Sequence, residues 1–186
     1  EVKGVSASGC IGDSKIITIT IDPEPVMDNS LSTTVCSDVA IGVTLAGDGV
    51  SVAPNGYNIV DVTIPGALTP NAGNAAFPAN GQAANYISGD IYTNVSSLPL
   101  DVVYEVRGVS VDGCIGDSEF ITVTINPEPV VSLGLGVTVC SDVVVGITLT
   151  TNGTSVGAAN YDLLSITVDP GLTPGGSNVV AANNVV

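Results

Sequence analysis

Apolar and polar residues alternate with period two along much of this chain. The runs KIITITID from Lys15, IGVTLAG from Ile41, NIVDVTI from Asn58, VVYEVRGVSV from Val102, EFITVTIN from Glu119 and LLSITV from Leu163 all do so. Each places apolar side chains on one side of an extended segment and polar ones on the other, the pattern of half-buried β-strands. Between them GDG from Gly47, APNG from Ala53, IPG from Ile64, TPNAG from Thr69 and PGG from Pro174 supply the glycines, prolines and asparagines of turns. No long stretch combines 3.6-residue apolar periodicity with helix formers and caps. The chain is therefore expected to be all-β.

The pattern also repeats. At an offset of 104 residues Cys10 falls on Cys114, Pro23 on Pro127, Cys36 on Cys140, Tyr57 on Tyr161, Leu68 on Leu172 and Pro70 on Pro174, without a gap. Between residues 1–26 and 105–130, 19 of 26 positions are identical, so the register is not accidental. A period of this size matches a whole β-sandwich rather than a solenoid repeat, which predicts tandem Ig-like antiparallel sandwiches. In that layout VYEVRGVSV is strand F, DGCIGDS the turn and EFITVTIN strand G. Each time, GCIGDS is followed by a strand and then by PEPV, whose prolines end ladder pairing and stiffen a linker.

Pro23, Pro25, Pro127 and Pro129 thus mark the boundaries. Residues 1–24 are read as the F–G hairpin of a preceding unit, 25–128 as a complete unit and 129–186 as a truncated next one. The opening EVKGVS returns mid-chain as EVRGVS from Glu105, so the chain is expected to be a stretch of a longer polypeptide.

Taken together, ISGDIYTN, VVYEVRGVS, GCIGDSEFITVTINPEPV and TVCSDV resemble the PKD-like, Ig-type repeats strung together in very large surface adhesins of Bacteroidota, including those of gliding motility. The chain departs from the many such repeats that carry a tryptophan in mid-repeat: it has none, and Tyr57 and Tyr161 are the nearest aromatic candidates. The resemblance implies secretion by the type IX route and an extracellular, cell-surface filament or stalk whose repeats are non-catalytic spacers. The partners it implies are neighbouring repeats of the same chain and other filament chains.

Composition narrows the remaining chemistry. The chain has 3 Lys+Arg against 18 Asp+Glu, no His and a formal net charge of −15, which disfavours nucleic acid and anionic membrane surfaces. No apolar run of about 18 residues is present to insert into a bilayer. Without His there is no catalytic triad, and the chain is read as no enzyme. Lys3 becomes Arg107 and Lys15 becomes Glu119 in the next copy, so no lysine recurs to form a repeat-wide isopeptide crosslink. The recurring acids, Glu1/Glu105, Asp13/Asp117, Glu24/Glu128 and Asp38/Asp142, are scattered and read as solvated turn and linker residues rather than a hydrolase pair.

Calcium is the one candidate cofactor. Asp112 and Asp117 flank the F–G turn with the Gly113 and Gly116 carbonyls between them, and Asp22 with Glu24 offer acids in the linker. NVS at Asn94 and NGT at Asn152 fit the glycosylation pattern but are read as polar turns. The four cysteines favour disulfides over zinc, since the chain has no His and no Cys-x-x-Cys. Cys36 with Cys114 would close one complete unit and leave Cys10 and Cys140 to partners outside the chain; Cys10 with Cys36 and Cys114 with Cys140 is the alternative.

The residues together support the shaft of a large extracellular adhesin or filament. A subunit that polymerises by strand exchange and a calcium- or glycan-binding module are the rival readings.

Overall fold

The computed structural model of the chain describes residues 1–175 and the backbone of residues 182–185. In chain order the strands are β1 (Val2–Val5), β2 (Ile11–Lys15), β3 (Thr33–Cys36), β4 (Gly56–Thr63), β5 (Leu68–Pro70), β6 (Ala79–Gln82), β7 (Tyr92–Asn94), β8 (Leu100–Val109), β9 (Glu119–Asn126), β10 (Tyr161–Leu163) and β11 (Ala182–Val185). No helix occurs among the described residues, and none is there to cross a membrane.

The main sheet has five strands in the order β3-β9-β8-β4-β6. Its centre is the β8–β9 hairpin, in register from Leu100↔Ile125 to Val106↔Glu119, so the expected F and G strands pair as read. The edge strand β3 runs parallel to β9, from Thr33↔Val123 to Cys36↔Asn126. The opposing layer joins β5 to β7 and carries the Met27↔Gly47 bridge. Residues 41–45 lie along it through backbone bonds from Ile41 to Asp90, Gly42 to Ser88 and Leu45 to Ala84.

Alternation explains why these segments fold so. Val102, Tyr104 and Val106 of β8 and Ile121, Val123 and Ile125 of β9 are buried every second residue, as are Ile41, Val43 and Leu45 opposite them. In β4 the phase changes: Ile59 and Val62 both face the core because the register shifts between Ile59 and Asp61, where a bulge turns the strand by one residue. Among the described residues the buried apolar core runs from Met27 to Ile125 and draws no residue from outside that range.

The amino-terminal segment behaves differently from its repeat. β1 and β2 pair as Val2↔Lys15, Lys3↔Ser14 and Val5↔Ile11, the register of the β8–β9 hairpin one period earlier. Yet KIITITID, expected as a strand, is one only at Lys15; Ile16, Ile17, Ile19 and Ile21 are exposed and unpaired. The equivalent residues form β9 because β3 and β8 flank them on both sides. Alternation alone does not make a strand when no neighbouring strand accepts its backbone bonds. Similarly, of LLSITV only Leu163 lies in a strand, and Gly176 of the PGG turn lies outside the described residues.

Ile59→Ala, at a side chain with no exposed surface, is expected to cost about 2–5 kcal/mol in urea unfolding, whereas Ile19→Ala should stay within about 0.5 kcal/mol. Similar losses for both would show that residues 1–24 share the core.

Candidate functional site at the two poles of the sandwich

The first pole is the turn joining β8 to β9. Its shape is local: the Ser110 N–H donates to the Cys114 carbonyl (2.9 Å), the Gly113 N–H to the Ser110 carbonyl (3.1 Å) and the Cys114 N–H to the Ser110 hydroxyl (3.1 Å). Gly113 takes φ 83°, which a side chain would resist. The β1–β2 turn repeats all of this, with Ser6, Gly9 and Cys10 in the same bonds and Gly9 at φ 82°.

What the second turn adds is a seat for the linker. Pro25 is fully buried, its ring against Gly108 and its carbonyl against Gly116. A Cβ on Gly116 would overlap the Pro25 carbonyl oxygen, and one on Gly108 would stand 3.2 Å from the Pro25 ring and 3.3 Å from that of Pro54. The corresponding Gly4 and Gly12 meet no such neighbour. The turn glycine Gly116 and the strand glycine Gly108 thus admit the second proline of the PEPV tag that precedes the unit.

Beyond Pro25 the chain is clamped. The Val26 N–H donates to Ser51 Oγ (2.8 Å), and Asp48 Oδ1 accepts from the N–H groups of Val50 and Ser51 and from the Ser51 hydroxyl. Those bonds, the Ser51 N–H first, hold the Asp48 carboxyl below its ordinary pKa. One period later the clamp forms again from Val130, Ser155 and Asn152, with Val130 N–H to Ser155 Oγ at 3.0 Å and Asn152 Oδ1 accepting from Thr154 and Ser155.

The opposite pole is organised by Asn94, which has no exposed surface. Its Nδ2 donates to the carbonyls of Ile125 (2.8 Å) and Leu98 (3.0 Å), and its Oδ1 accepts from the N–H and hydroxyl of Ser96. Its own N–H donates to Ser37 Oγ (2.8 Å), and its carbonyl accepts from the Glu128 N–H (2.9 Å). With its side-chain amide and its backbone together, Asn94 thus binds the end of β9, the segment after β3 and the segment that follows β9. The next copy touches this pole directly, through Val156 N–H to the Ser96 carbonyl (3.2 Å).

Asp38 sits beside this hub at φ 62°, its N–H on the Tyr92 carbonyl and its Oδ1 accepting from Thr93 (2.6 Å). Asp142 repeats the same φ. Burial first, then the neighbouring Asp38 carboxyl, pushes the Glu128 carboxyl up.

Between the poles lies a buried acid. Asp90 Oδ1 accepts from the Ala75 N–H (2.7 Å) and Oδ2 from the Tyr104 hydroxyl (2.8 Å), which in turn meets the Tyr92 hydroxyl (2.7 Å). Burial raises the Asp90 carboxyl and lifts both phenols above their ordinary range, Tyr104 furthest. The network ties the opposing layer to the centre of β8.

The residues singled out in the sequence are placed as follows. Asp112 and Asp117 are exposed on the β8–β9 turn, and among the described residues no group of three or more Cys, Asp or Glu is gathered to hold a metal. Asn94 cannot accept a glycan, because its amide is buried and bonded; Asn152 holds its own turn. Arg107 is engaged by Ser118 (2.7 Å) and by Glu105 (3.6 Å).

All four cysteines are free thiols. The expected pair of Cys36 with Cys114 is overturned by the fold: Cys36 lies level with Asn126 at the end of β9, and Cys114 lies before its start at Glu119. At roughly 3.3 Å per residue the strand separates them by about 20 Å, against the 4.4–6.8 Å or so between Cα atoms that a disulfide spans.

Comparison with known families bears on the same stretch. A family model described as a PKD-like domain matches residues 33–129, more than half of the chain. This chain belongs to the PKD-like domain family. Neither a curated protein nor a solved structure matches it. The matched span runs from the start of β3 to the proline after β9, so it takes in the whole main sheet of the PKD-like domain and its Asn94 pole. PKD-like domains are generally non-enzymatic structural modules and typically extracellular.

Gly116→Ala is expected to destabilise the PKD-like domain by about 1–3 kcal/mol, because the new methyl meets the linker backbone, while Gly12→Ala is near neutral in the same denaturation assay. Asp90 makes a second test. Its raised pKa means that the folded state keeps a proton the unfolded chain loses near pH 4, so its contribution falls as pH rises above that value. Asp90→Asn should flatten that part of the stability profile; an unchanged slope would show that the carboxyl is not desolvated.

Proposed function

We propose that this chain is a length of the shaft of a large extracellular adhesin or surface filament, of the kind found on Bacteroidota, with PKD-like units following one another head to tail. On this reading residues 25–128 are one complete unit, and its partners are the units before and after it. Adhesion specificity is carried by other regions, and export follows the type IX route implied by the resemblance of the repeats.

The observation that carries the proposal is the placement of the two linkers. One enters the sandwich at the β8–β9 turn with Pro25 buried, and the other leaves from the opposite pole with the Glu128 N–H bonded to Asn94. A module held at both ends by its own linkers transmits orientation from one unit to the next. Two further properties suit a shaft at a cell surface. A net charge of −15 keeps neighbouring rods apart, and 3 Lys+Arg in 186 residues leave trypsin-like proteases few places to cut.

The strand-exchange alternative would place the alternating segment from Ile16 to Ile21 on a sheet edge of another chain, whereas on the shaft reading the same residues are strand G of the preceding unit.

Small-angle scattering decides between them. A protein made of two consecutive copies of residues 25–128, whose core is closed within Met27–Ile125, is expected to be monomeric and rod-shaped, with close to twice the length of one copy. A compact particle would overturn the shaft; concentration-dependent fibres would favour strand exchange.

A further inference from the structure

The cysteines have no partner within one unit, but the repeat brings two of them to one place. Cys36 is level with Asn126, and the residue after it, Ser37, donates its N–H to the Asn126 carbonyl (2.9 Å). One period earlier the residue equivalent to Asn126 is Asp22. The Asp22 carbonyl, at the foot of the incoming linker, is touched by Cys114 Sγ at 3.8 Å. The same carbonyl position therefore receives the CSDV segment from its own unit and the β8–β9 turn cysteine from the following one. Cys36 is exposed at this junction, on the outward side of an edge strand.

The geometry points to a disulfide across each junction, joining the Cys36-type residue of one unit to the Cys114-type residue of the next. The inference rests on the head-to-tail reading above and adds to it a covalent staple. Neither residue meets its mate within this chain: the mate of Cys36 belongs to the turn of a following unit, and the mate of Cys114 to the third strand of a preceding one. That separation accounts for four free thiols here.

The chemistry is ordinary thiol–disulfide exchange. The two thiols give up two protons and two electrons to the disulfide of an oxidant, which leaves as a dithiol or as two thiols; a protein thiol–disulfide oxidoreductase or oxidised glutathione supplies it. An extracellular setting lets such a bond persist. Its effect is to pin the Pro25-type dock, because Cys114 touches the Asp22 carbonyl three residues before Pro25.

The test uses the two-copy protein with pairs of cysteines retained and the others changed to serine. One variant keeps Cys36 of the first copy and Cys114 of the second; a control keeps Cys36 and Cys114 of the same copy. Both are equilibrated with oxidised and reduced glutathione, alkylated and weighed by mass spectrometry. The junction variant is expected to lose both reactive thiols as an intramolecular bond, and the control to keep both.

Two free thiols in a folded junction variant, a bond in the control, or disulfide-linked dimers alone would each overturn the inference. Scattering on the reduced protein separates this from the shaft proposal: a rod without the bond sinks only the staple, and a compact particle sinks the shaft itself. Circular dichroism of each variant establishes that serine has not unfolded it.

Discussion

The architecture depends on the close approach of Pro25 to Gly108 and Gly116. A proline brings no N–H that needs a partner, has a fixed φ, and presents an apolar ring that gains from burial; two glycines without Cβ let that ring and its carbonyl reach the hairpin backbone. This contact brings the start of the module against the turn between its last two strands. From there β3 has only to run beside β9 in the same direction, which it does over four residues. Linker, first edge strand and final hairpin are consequently one mechanical assembly.

At the other pole the same task falls to polar groups. Asn94 gathers the Leu98 and Ile125 carbonyls and the Ser37 hydroxyl, and a buried amide that has found its partners is costly to move, since any displacement leaves donors and acceptors unmatched away from water. Asp90 with Tyr104 and Tyr92 does likewise in the interior. Apolar packing would tolerate several alignments of the two layers; these directional contacts select one. A module of this design has directional polar contacts at its ends and apolar packing in its middle.

Much of this was legible residue by residue. The alternation of VVYEVRGVSV and EFITVTIN marked the hairpin and the faces it buries, because a strand's side-chain period is independent of what it packs on. The offset of 104 identified the repeating turn and proline tag. The site was less legible. Asn94 stood out only as part of a glycosylation triplet, and Asp90 did not stand out at all, since neither carries a local signal that it will be buried. Gly116 was visible as a turn residue, but its role in admitting Pro25 involves residues far apart in the chain. The pairing of the cysteines was not legible, because sequence separation says nothing of which end of a strand each will occupy.

By itself, then, the order of residues determined the strands, their faces, the turns and the period, all of which follow from bond geometry and from local competition between water and apolar surface. Only the tertiary structure decided that the proline tag is a buried plug, and that Cys36 and Cys114 stand at opposite ends of β9. Those outcomes depend on which distant segments are present to accept a backbone bond or fill a gap.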